Sequence, residues 1–196
     1  MVLYGAEGLT SRAQAYRLLA QAVRLHWGLE ALPELARGER GKPYFPALPR
    51  CCFNLSHSGA FALCALSERP VGVDIQVLRP SWSPRLVERS CSPAERAWLA
   101  SRADGPADFA ALWACKESAA KESGRGLPYP PARLEVPLPR SGLPFRPRDL
   151  YRLEGRLLRV YRGETWRAAV CGWETPPESI CWLELSDESG CTPPRP

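Results

Sequence analysis

The spacing of apolar side chains along the chain predicts short strands separated by a few helices. Between residues 11 and 27 the apolar residues recur at helical intervals and polar residues occupy the other side, so this segment is predicted to be an amphipathic helix with Ser11 as its N-cap. The remaining short apolar or alternating runs predict strands at residues 1–6, 53–56, 60–66, 71–77, 151–153, 157–161, 165–173 and 180–185.

Two further helices are predicted from their boundary signals. Ser92 and Glu95 form a capping box, which indicates a short helix that continues to about residue 100. Pro106 suits the first turn of a long helix over 107–123, and Gly124 suits its end. Residues 33–50 and 128–147 are rich in proline and glycine and are predicted to be irregular, with a turn at 57–59 between the second and third strands.

A helix followed by an apolar strand occurs in each half of the chain. This faint repeat favours an α+β fold built from two similar lobes. We therefore predict an N-terminal lobe over 1–71, a C-terminal lobe over 72–190 and a loose tail over 191–196.

Composition excludes several classes of protein. Hydrophobic residues make up 45% and charged residues 24% of the 196 residues, which is typical of a globular chain and not of a disordered one. No apolar run reaches the roughly 20 residues of a membrane span, and the first residues do not resemble a signal peptide. We expect a cytoplasmic monomer without membrane contact. The net charge of +5 permits an anionic substrate or an acidic partner but does not indicate nucleic-acid binding.

The eight cysteines do not form a recognisable framework. Cys51 and Cys52 are adjacent, several others lie in apolar runs, and with only two histidines no zinc pattern can be assembled. Reduced, mostly buried thiols are expected.

Lysine is rare in this chain, with three among 26 basic residues. Lys42, Lys116 and Lys121 stand in two short stretches, which suggests that a compact ammonium is needed there. Chance clustering in an arginine-rich sequence is the alternative.

The long predicted helix carries a stripe that changes character along its length. Phe109, Trp113, Glu117 and Lys121 follow one another at intervals of four residues and therefore share one face. The stripe predicts an acid and a base at the edge of a core. A simple ion pair along the helix between Glu117 and Lys121 is the other interpretation.

Asp74 is the second candidate carboxylate. It lies on the predicted strand 71–77, where Gly72 two residues earlier suggests open space beside it. Two carboxylates from different elements with a lysine nearby suit a magnesium ion that bridges phosphates.

Four short motifs occur in a recognisable order. They are Gly41-Lys42-Pro43, residues 53–59 (FNLSHSG), residues 72–75 (GVDI) and residues 113–121 (WACKESAAK). With these motifs the sequence resembles the 4′-phosphopantetheinyl transferases of the surfactin-synthetase-activating type. The clear resemblance covers residues 41–127.

The resemblance implies two α+β lobes packed as a pseudo-dimer, with coenzyme A in the cleft between them. It implies magnesium-dependent transfer of the 4′-phosphopantetheine arm to a serine of an apo acyl or peptidyl carrier protein, with release of 3′,5′-ADP. The residue roles implied by the same resemblance are metal binding by Asp74 and Glu117, proton removal by Glu117, phosphate stabilisation by Lys116 and Lys121, 3′-phosphate contacts by Ser56 and His57, and a nucleotide pocket at Lys42 and Pro43.

The sequence departs from the family pattern at two places. Gln76 stands where surfactin-type members usually have a further acid, and we expect its amide or a water to replace that metal ligand. The stretch before the first helix is short and lacks the family's basic residues, so Arg12 or Arg17 is the candidate for the 3′-phosphate. These departures leave open a catalytically weak or inactive relative that only binds carrier protein or coenzyme A.

Overall fold

The computed structural model describes residues 1–128, 130–140, 143–147 and 149–185, and it shows a mixed α+β chain. The helices are α1 (Gln14–Trp27), α2 (Pro84–Ser90), α3 (Pro93–Ala100) and α4 (Gly105–Ser123), with a short 3₁₀ turn at Pro131–Arg133. The strands are β1 (Val2–Glu7), β2 (Ala36–Arg37), β3 (Pro43–Tyr44), β4 (Cys52–Ser58), β5 (Phe61–Ser67), β6 (Val71–Val77), β7 (Leu150–Leu153), β8 (Arg156–Arg162), β9 (Trp166–Gly172) and β10 (Cys181–Trp182). The tail predicted at 191–196 lies outside the described residues.

The strands form two four-stranded sheets and one two-stranded ribbon. The first sheet has the order β10-β1-β5-β4 and the second has the order β6-β9-β8-β7, while β2 and β3 pair with each other. All neighbours are antiparallel except β10, which runs parallel to β1. Residues 181–182 were assigned from the sequence to the C-terminal lobe, but they lie in the sheet built by the first 67 residues; the division at residues 71 and 72 stays a prediction.

The hydrophobic clusters show how the layers are arranged. One cluster joins α1 to the outer face of the first sheet, and another joins α4 to the outer face of the second sheet. The inner faces of the two sheets meet in a third cluster, which contains Leu3, Leu63, Ala65, Val71, Val73, Ile75, Ala168 and Val170. The layers are therefore helix, sheet, sheet and helix, which buries one face of each helix and both faces of each sheet.

Polar side chains join the two sheets at their edges. β4 and β6 are edge strands of different sheets, and alternate side chains of β4 point to the exposed edge of β6. We call these contacts the β4–β6 ladder: Asn54 Oδ1 accepts from Val73 N (2.9 Å), Ser56 Oγ from Ile75 N (3.3 Å) and Ser58 Oγ from Val77 N (3.0 Å). The ladder satisfies backbone N–H groups that an unpaired edge strand would leave without partners.

Gly72 lets α4 lie unusually close to β6. A Cβ atom at this position would stand 1.9 Å from the carbonyl oxygen of Ser118 and 2.4 Å from the backbone nitrogen of Glu122. The expectation that Gly72 leaves open space beside Asp74 is wrong, because the backbone of α4 fills that space. The close approach instead brings the side chains of α4 to the strand that carries Asp74.

Several predicted boundaries are confirmed and others are corrected. The capping box of α3 and the end of α4 at Gly124, which has φ 68°, are as predicted. The N-cap at Ser11 is wrong, because the Gln14 side chain closes the entry to α1 by accepting from the backbone N–H of Thr10 at 2.6 Å and of Ser11 at 3.1 Å. The turn predicted at 57–59 falls one to two residues later, since β4 continues through residue 58. Helix α2 was not predicted.

The cysteines of the described residues are free thiols. Cys64, Cys91, Cys115 and Cys171 are buried, whereas Cys181 is exposed on the short strand β10. None of the helices in the described part of the chain combines the length and the apolar character that a bilayer crossing demands.

Candidate active site between α4 and β6

Asp74 is a buried carboxylate whose two oxygens are both hydrogen-bonded. It lies in the middle of β6 and is 3% exposed. Its Oδ1 accepts from Lys121 Nζ at 2.6 Å and from Ser56 Oγ at 2.9 Å, and its Oδ2 accepts from Gln76 Nε2 at 2.7 Å. A buried carboxylate needs such donors because burial without them would strongly disfavour its charge.

Lys121 reaches across from α4 to this carboxylate. Its ammonium also approaches Ser56 Oγ at 3.1 Å and the carbonyl oxygen of Val73 at 3.3 Å. Among the described residues its ion pair is with Asp74. The ion pair along the helix with Glu117, which the sequence left open, is therefore not the contact that holds Lys121.

Glu117 lies one helical turn before Lys121 on the same face of α4. Burial is the main reason that the pKa of Glu117 is raised, and the negative charge of Asp74 adds to this effect while Lys121 opposes it. The two carboxylates are thus near enough to repel each other. Two mutually repelling carboxylates in a partly buried site form a donor set that suits a hard cation.

A cavity of about 300 Å³ opens beside these groups. Glu117 and Lys121 line one wall, and the loop with Lys42 and Pro43 lines another, together with Arg40. This places the Gly41-Lys42-Pro43 motif and the side chains of Glu117 and Lys121 around one space. Arg40 was not singled out from the sequence; its position directly before the motif was the available signal.

Lys42 holds the loop against the second half of the molecule. Its ammonium donates to the carbonyl oxygens of Val71 at 3.0 Å and Glu122 at 2.9 Å. Burial lowers the pKa of Lys42, and the charge of Glu122 partly opposes that shift. Lys42 therefore anchors one wall of the cavity while Pro43 begins the short strand β3.

Ser56 and His57 lie on opposite faces of β4 and have different surroundings. Ser56 is buried and turned towards Asp74 and Lys121, whereas His57 is exposed. Partial burial lowers the pKa of His57, and the positive charges of Arg12 and Lys121 lower it further. Arg12 is therefore close enough to act on His57, and Arg17 lies half-buried on α1.

The structure places Lys116 away from the cavity. Its side chain is completely buried, and its ammonium pairs with Glu95 Oε1 at 2.8 Å and donates to the carbonyl oxygen of Leu134. Glu95 also accepts from the backbone N–H groups of Ser92 and Val136. The phosphate contact expected for Lys116 does not fit this position, because its charge is already used to join α3, α4 and the segment near residue 134.

A magnesium ion fits the chemistry of the residues present. The described residues contain no group of three or more His, Cys, Asp and Glu side chains placed to hold a metal. Asp74 and Glu117 supply two carboxylates, and Gln76 offers an amide whose oxygen and nitrogen can exchange places by rotation. Magnesium commonly takes one or two carboxylates, with waters and phosphate oxygens as its other ligands.

Comparison with known sequences shows the family to which the chain belongs. Residues 70–171, just over half of the chain, match the 4′-phosphopantetheinyl transferase superfamily, and the chain belongs to that superfamily. The family membership expected from the four motifs is confirmed.

Similar proteins come from several bacteria. A 4′-phosphopantetheinyl transferase of Bacillus subtilis is 42% identical over 106 residues, which cover 53% of this chain and 47% of that protein. The transferase Sfp of Bacillus subtilis strain 168 is 40% identical over a segment with the same coverage. The transferase AcpT of Salmonella typhi is 41% identical over 113 residues, covering 54% of this chain and 57% of its own length. The chain spans about half the length of the curated relatives it matches.

Proposed function

We propose that this chain transfers the 4′-phosphopantetheine arm of coenzyme A to a serine hydroxyl of an apo acyl or peptidyl carrier protein and releases 3′,5′-ADP. The observation that carries the proposal is the meeting of Asp74, Lys121 and Glu117 beside the cavity that Lys42 and Pro43 also line. The names of the similar proteins support the same reaction.

The two halves of the molecule would act as a pseudo-dimer with the substrate in the cleft between them. Each half consists of a four-stranded sheet with one long helix on its outer face, which supports this interpretation. The cavity takes one wall from the loop before β4 and the other from α4, so it draws on both halves.

Coenzyme A would bind with its nucleotide in this cavity. Pro43 would contact the base, and Arg40 is exposed at the rim, where it can meet a phosphate. His57 and Arg12 would bind the 3′-phosphate, because their neighbouring positions supply two donors to an anion. Arg12 would thus replace the basic residues that the short N-terminal stretch lacks.

Asp74 and Glu117 would hold the magnesium ion, with Gln76 as a neutral third group. When bound, the ion neutralises charge on the diphosphate during transfer. Lys121 would stabilise the negative charge that develops on the phosphate oxygens as the bond to 3′,5′-ADP breaks.

Glu117 would accept the proton of the attacking serine hydroxyl, directly or through a water. The serine oxygen forms a bond to the phosphorus of the arm, the bond to the leaving 5′-phosphate of 3′,5′-ADP breaks, and the hydroxyl proton passes to the carboxylate. A raised pKa suits this role, because a base is most effective when its pKa approaches the working pH.

The test is to incubate the protein with coenzyme A, Mg²⁺ and a panel of apo carrier proteins, and to measure the mass of each carrier. We expect one phosphopantetheine addition, lost when the acceptor serine is changed to alanine and lost with Asp74→Asn. No addition to any carrier, with coenzyme A still bound, would support the binding-only relative that Gln76 leaves open.

A further inference from the structure

The hydroxyl of Ser56 has all of its hydrogen-bonding capacity occupied within the protein. Ser56 is 6% exposed and comes from β4, on the first sheet. Its Oγ donates to Asp74 Oδ1 at 2.9 Å and accepts from Lys121 Nζ at 3.1 Å and from Ile75 N at 3.3 Å. A serine hydroxyl offers one donor and two acceptor lone pairs, so these three partners saturate it.

We propose that Ser56 is a positioning residue that fixes the Asp74 carboxylate and the Lys121 ammonium relative to each other, and that it does not contact the 3′-phosphate of coenzyme A. This inference rests on the proposed function. The hydroxyl proton is directed at Asp74, and Ser56 lies on the face of β4 opposite to His57. A phosphate bound by His57 and Arg12 would therefore meet the other face of the strand.

The position of Ser56 gives it influence over both charged groups. The Lys121 ammonium could move along the Asp74 carboxylate if only one contact held it, but Ser56 and the carbonyl oxygen of Val73 add two more acceptors. Gln76 restrains the second carboxylate oxygen. Hydrogen bonds that orient a ligating carboxylate commonly change metal affinity or activity by about 10- to 100-fold when they are removed.

Ser58 provides a matched control within the same strand. Its Oγ accepts from Val77 N at 3.0 Å, so it contributes to the β4–β6 ladder as Ser56 does. The contacts of Asp74 described above do not include Ser58. Ser56→Ala and Ser58→Ala each leave one N–H of β6 without its side-chain acceptor. Only Ser56→Ala also removes a hydrogen-bond partner from Asp74 and from Lys121.

The experiment compares wild type, Ser56→Ala and Ser58→Ala in carrier-protein modification, in Mn²⁺ binding with coenzyme A but without carrier, and in thermal unfolding. We expect Ser56→Ala to lower kcat by about 10- to 100-fold and to weaken Mn²⁺ binding over the same range. Ser58→Ala should show a similar loss of thermal stability. Its kcat should stay within about twofold of wild type, because the change lies away from the reacting groups. Ser56→Cys, which is similar in size but a weak donor, should reproduce the loss of kcat if Ser56→Ala fails to fold.

A second comparison tests the alternative role at the 3′-phosphate. We expect Ser56→Ala to keep the wild-type ratio of KM for coenzyme A to KM for 3′-dephospho-coenzyme A. Unchanged kcat and Mn²⁺ affinity, or a raised KM for coenzyme A with that ratio abolished, would overturn the inference. A wild-type protein that modifies no carrier would overturn the proposed function, and this inference with it.

Discussion

The rare lysines of this chain occupy three different environments, and only one of them lies at the reacting centre we propose. Lys121 contacts Asp74, Lys42 binds two carbonyl oxygens, and Lys116 is buried in an ion pair with Glu95. Each place requires a compact ammonium, since a planar guanidinium is wider and distributes its donors differently. The scarcity of lysine therefore marks tight sites and not catalysis alone.

Removing the charge of Lys116 tests its structural role. Lys116→Met should lower the free energy of unfolding by about 3–5 kcal/mol, because the buried carboxylate of Glu95 loses its ionic partner. The double variant Lys116→Met with Glu95→Gln should recover part of the loss, because the amide carries no charge and can still serve the capping box. Urea unfolding measures both. If Lys116→Met lost transfer with unchanged stability, the result would instead favour the phosphate contact that the resemblance implies for Lys116.

The ionised Glu117 side chain is expected to lower the stability of the folded protein near neutral pH, and its proposed role in catalysis explains why it is present. Its pKa is higher in the folded protein than in the unfolded chain, so the folded state holds the proton more tightly and stability falls as the pH rises from 4.5 through the raised pKa. Glu117→Gln should raise the melting temperature near neutral pH in the presence of a chelator and abolish transfer. The difference in melting temperature should disappear as the pH falls well below 4.5, where glutamate becomes neutral in the unfolded as well as the folded state. A lower melting temperature near neutrality would contradict the repulsion from Asp74.

At the scale of elements, the contact between α4 and β6 decides whether the site exists. Asp74 is on the strand, Glu117 and Lys121 are on the helix, and Gly72 allows the two backbones to meet. The aromatic half of the α4 stripe anchors the other end of the helix, where Phe109 stacks on Trp113 with ring centres 6.3 Å apart. The packing of α4 against β6 therefore sets the distance from Asp74 on the strand to Glu117 and Lys121 on the helix.

A methyl group at position 72 should separate these elements. Gly72→Ala places its Cβ against the backbone of α4, which cannot move aside as a side chain could, so we expect a loss of at least about 1–3 kcal/mol and impaired transfer. Gly105→Ala is the control, because a Cβ there meets nothing within 4 Å and alanine favours the helix. Chemical denaturation of the two variants should give changes of opposite sign, and equal stability would show that α4 does not press on Gly72.

At the scale of the whole molecule, the two sheets are joined by side chains where a continuous sheet would use backbone pairing. The β4–β6 ladder connects residues 19 positions apart, and β10 returns to the first sheet to pair with β1 at the other end of the described chain. We therefore expect the two halves to unfold together.

Asn54→Ala should test this connection. Asn54 is 4% exposed, and its loss leaves the Val73 N–H buried without a partner, at a cost of about 1–3 kcal/mol. Tryptophan fluorescence and far-ultraviolet circular dichroism should still report one coincident transition at lower denaturant. His57→Ala changes a side chain that is itself exposed at the end of the same strand, so it should change stability by no more than about 0.5 kcal/mol. Two separate transitions in the wild type would refute a single cooperative unit.

The sequence alone was sufficient for features that depend on neighbours along the chain. Apolar periodicity and capping residues located most strands, the end of α4 and its start to within two residues, because those signals act within one or two turns. The motifs located Asp74, Glu117 and Lys121. Even Lys116 could have been separated from Lys121, since five residues along a helix place two side chains about 140° apart.

The tertiary structure decided what each polar group meets. The facing of β4 and β6 brings the Ser56 hydroxyl to Asp74, a contact that the sequence did not predict. Gly72 suggested open space beside Asp74, and the packing of α4 fills that space. Glu95 and Lys116 lie 21 residues apart, and no local pattern announces that they pair. Such partners are chosen by the packing of distant segments, where burial forces every polar group to find a specific donor or acceptor.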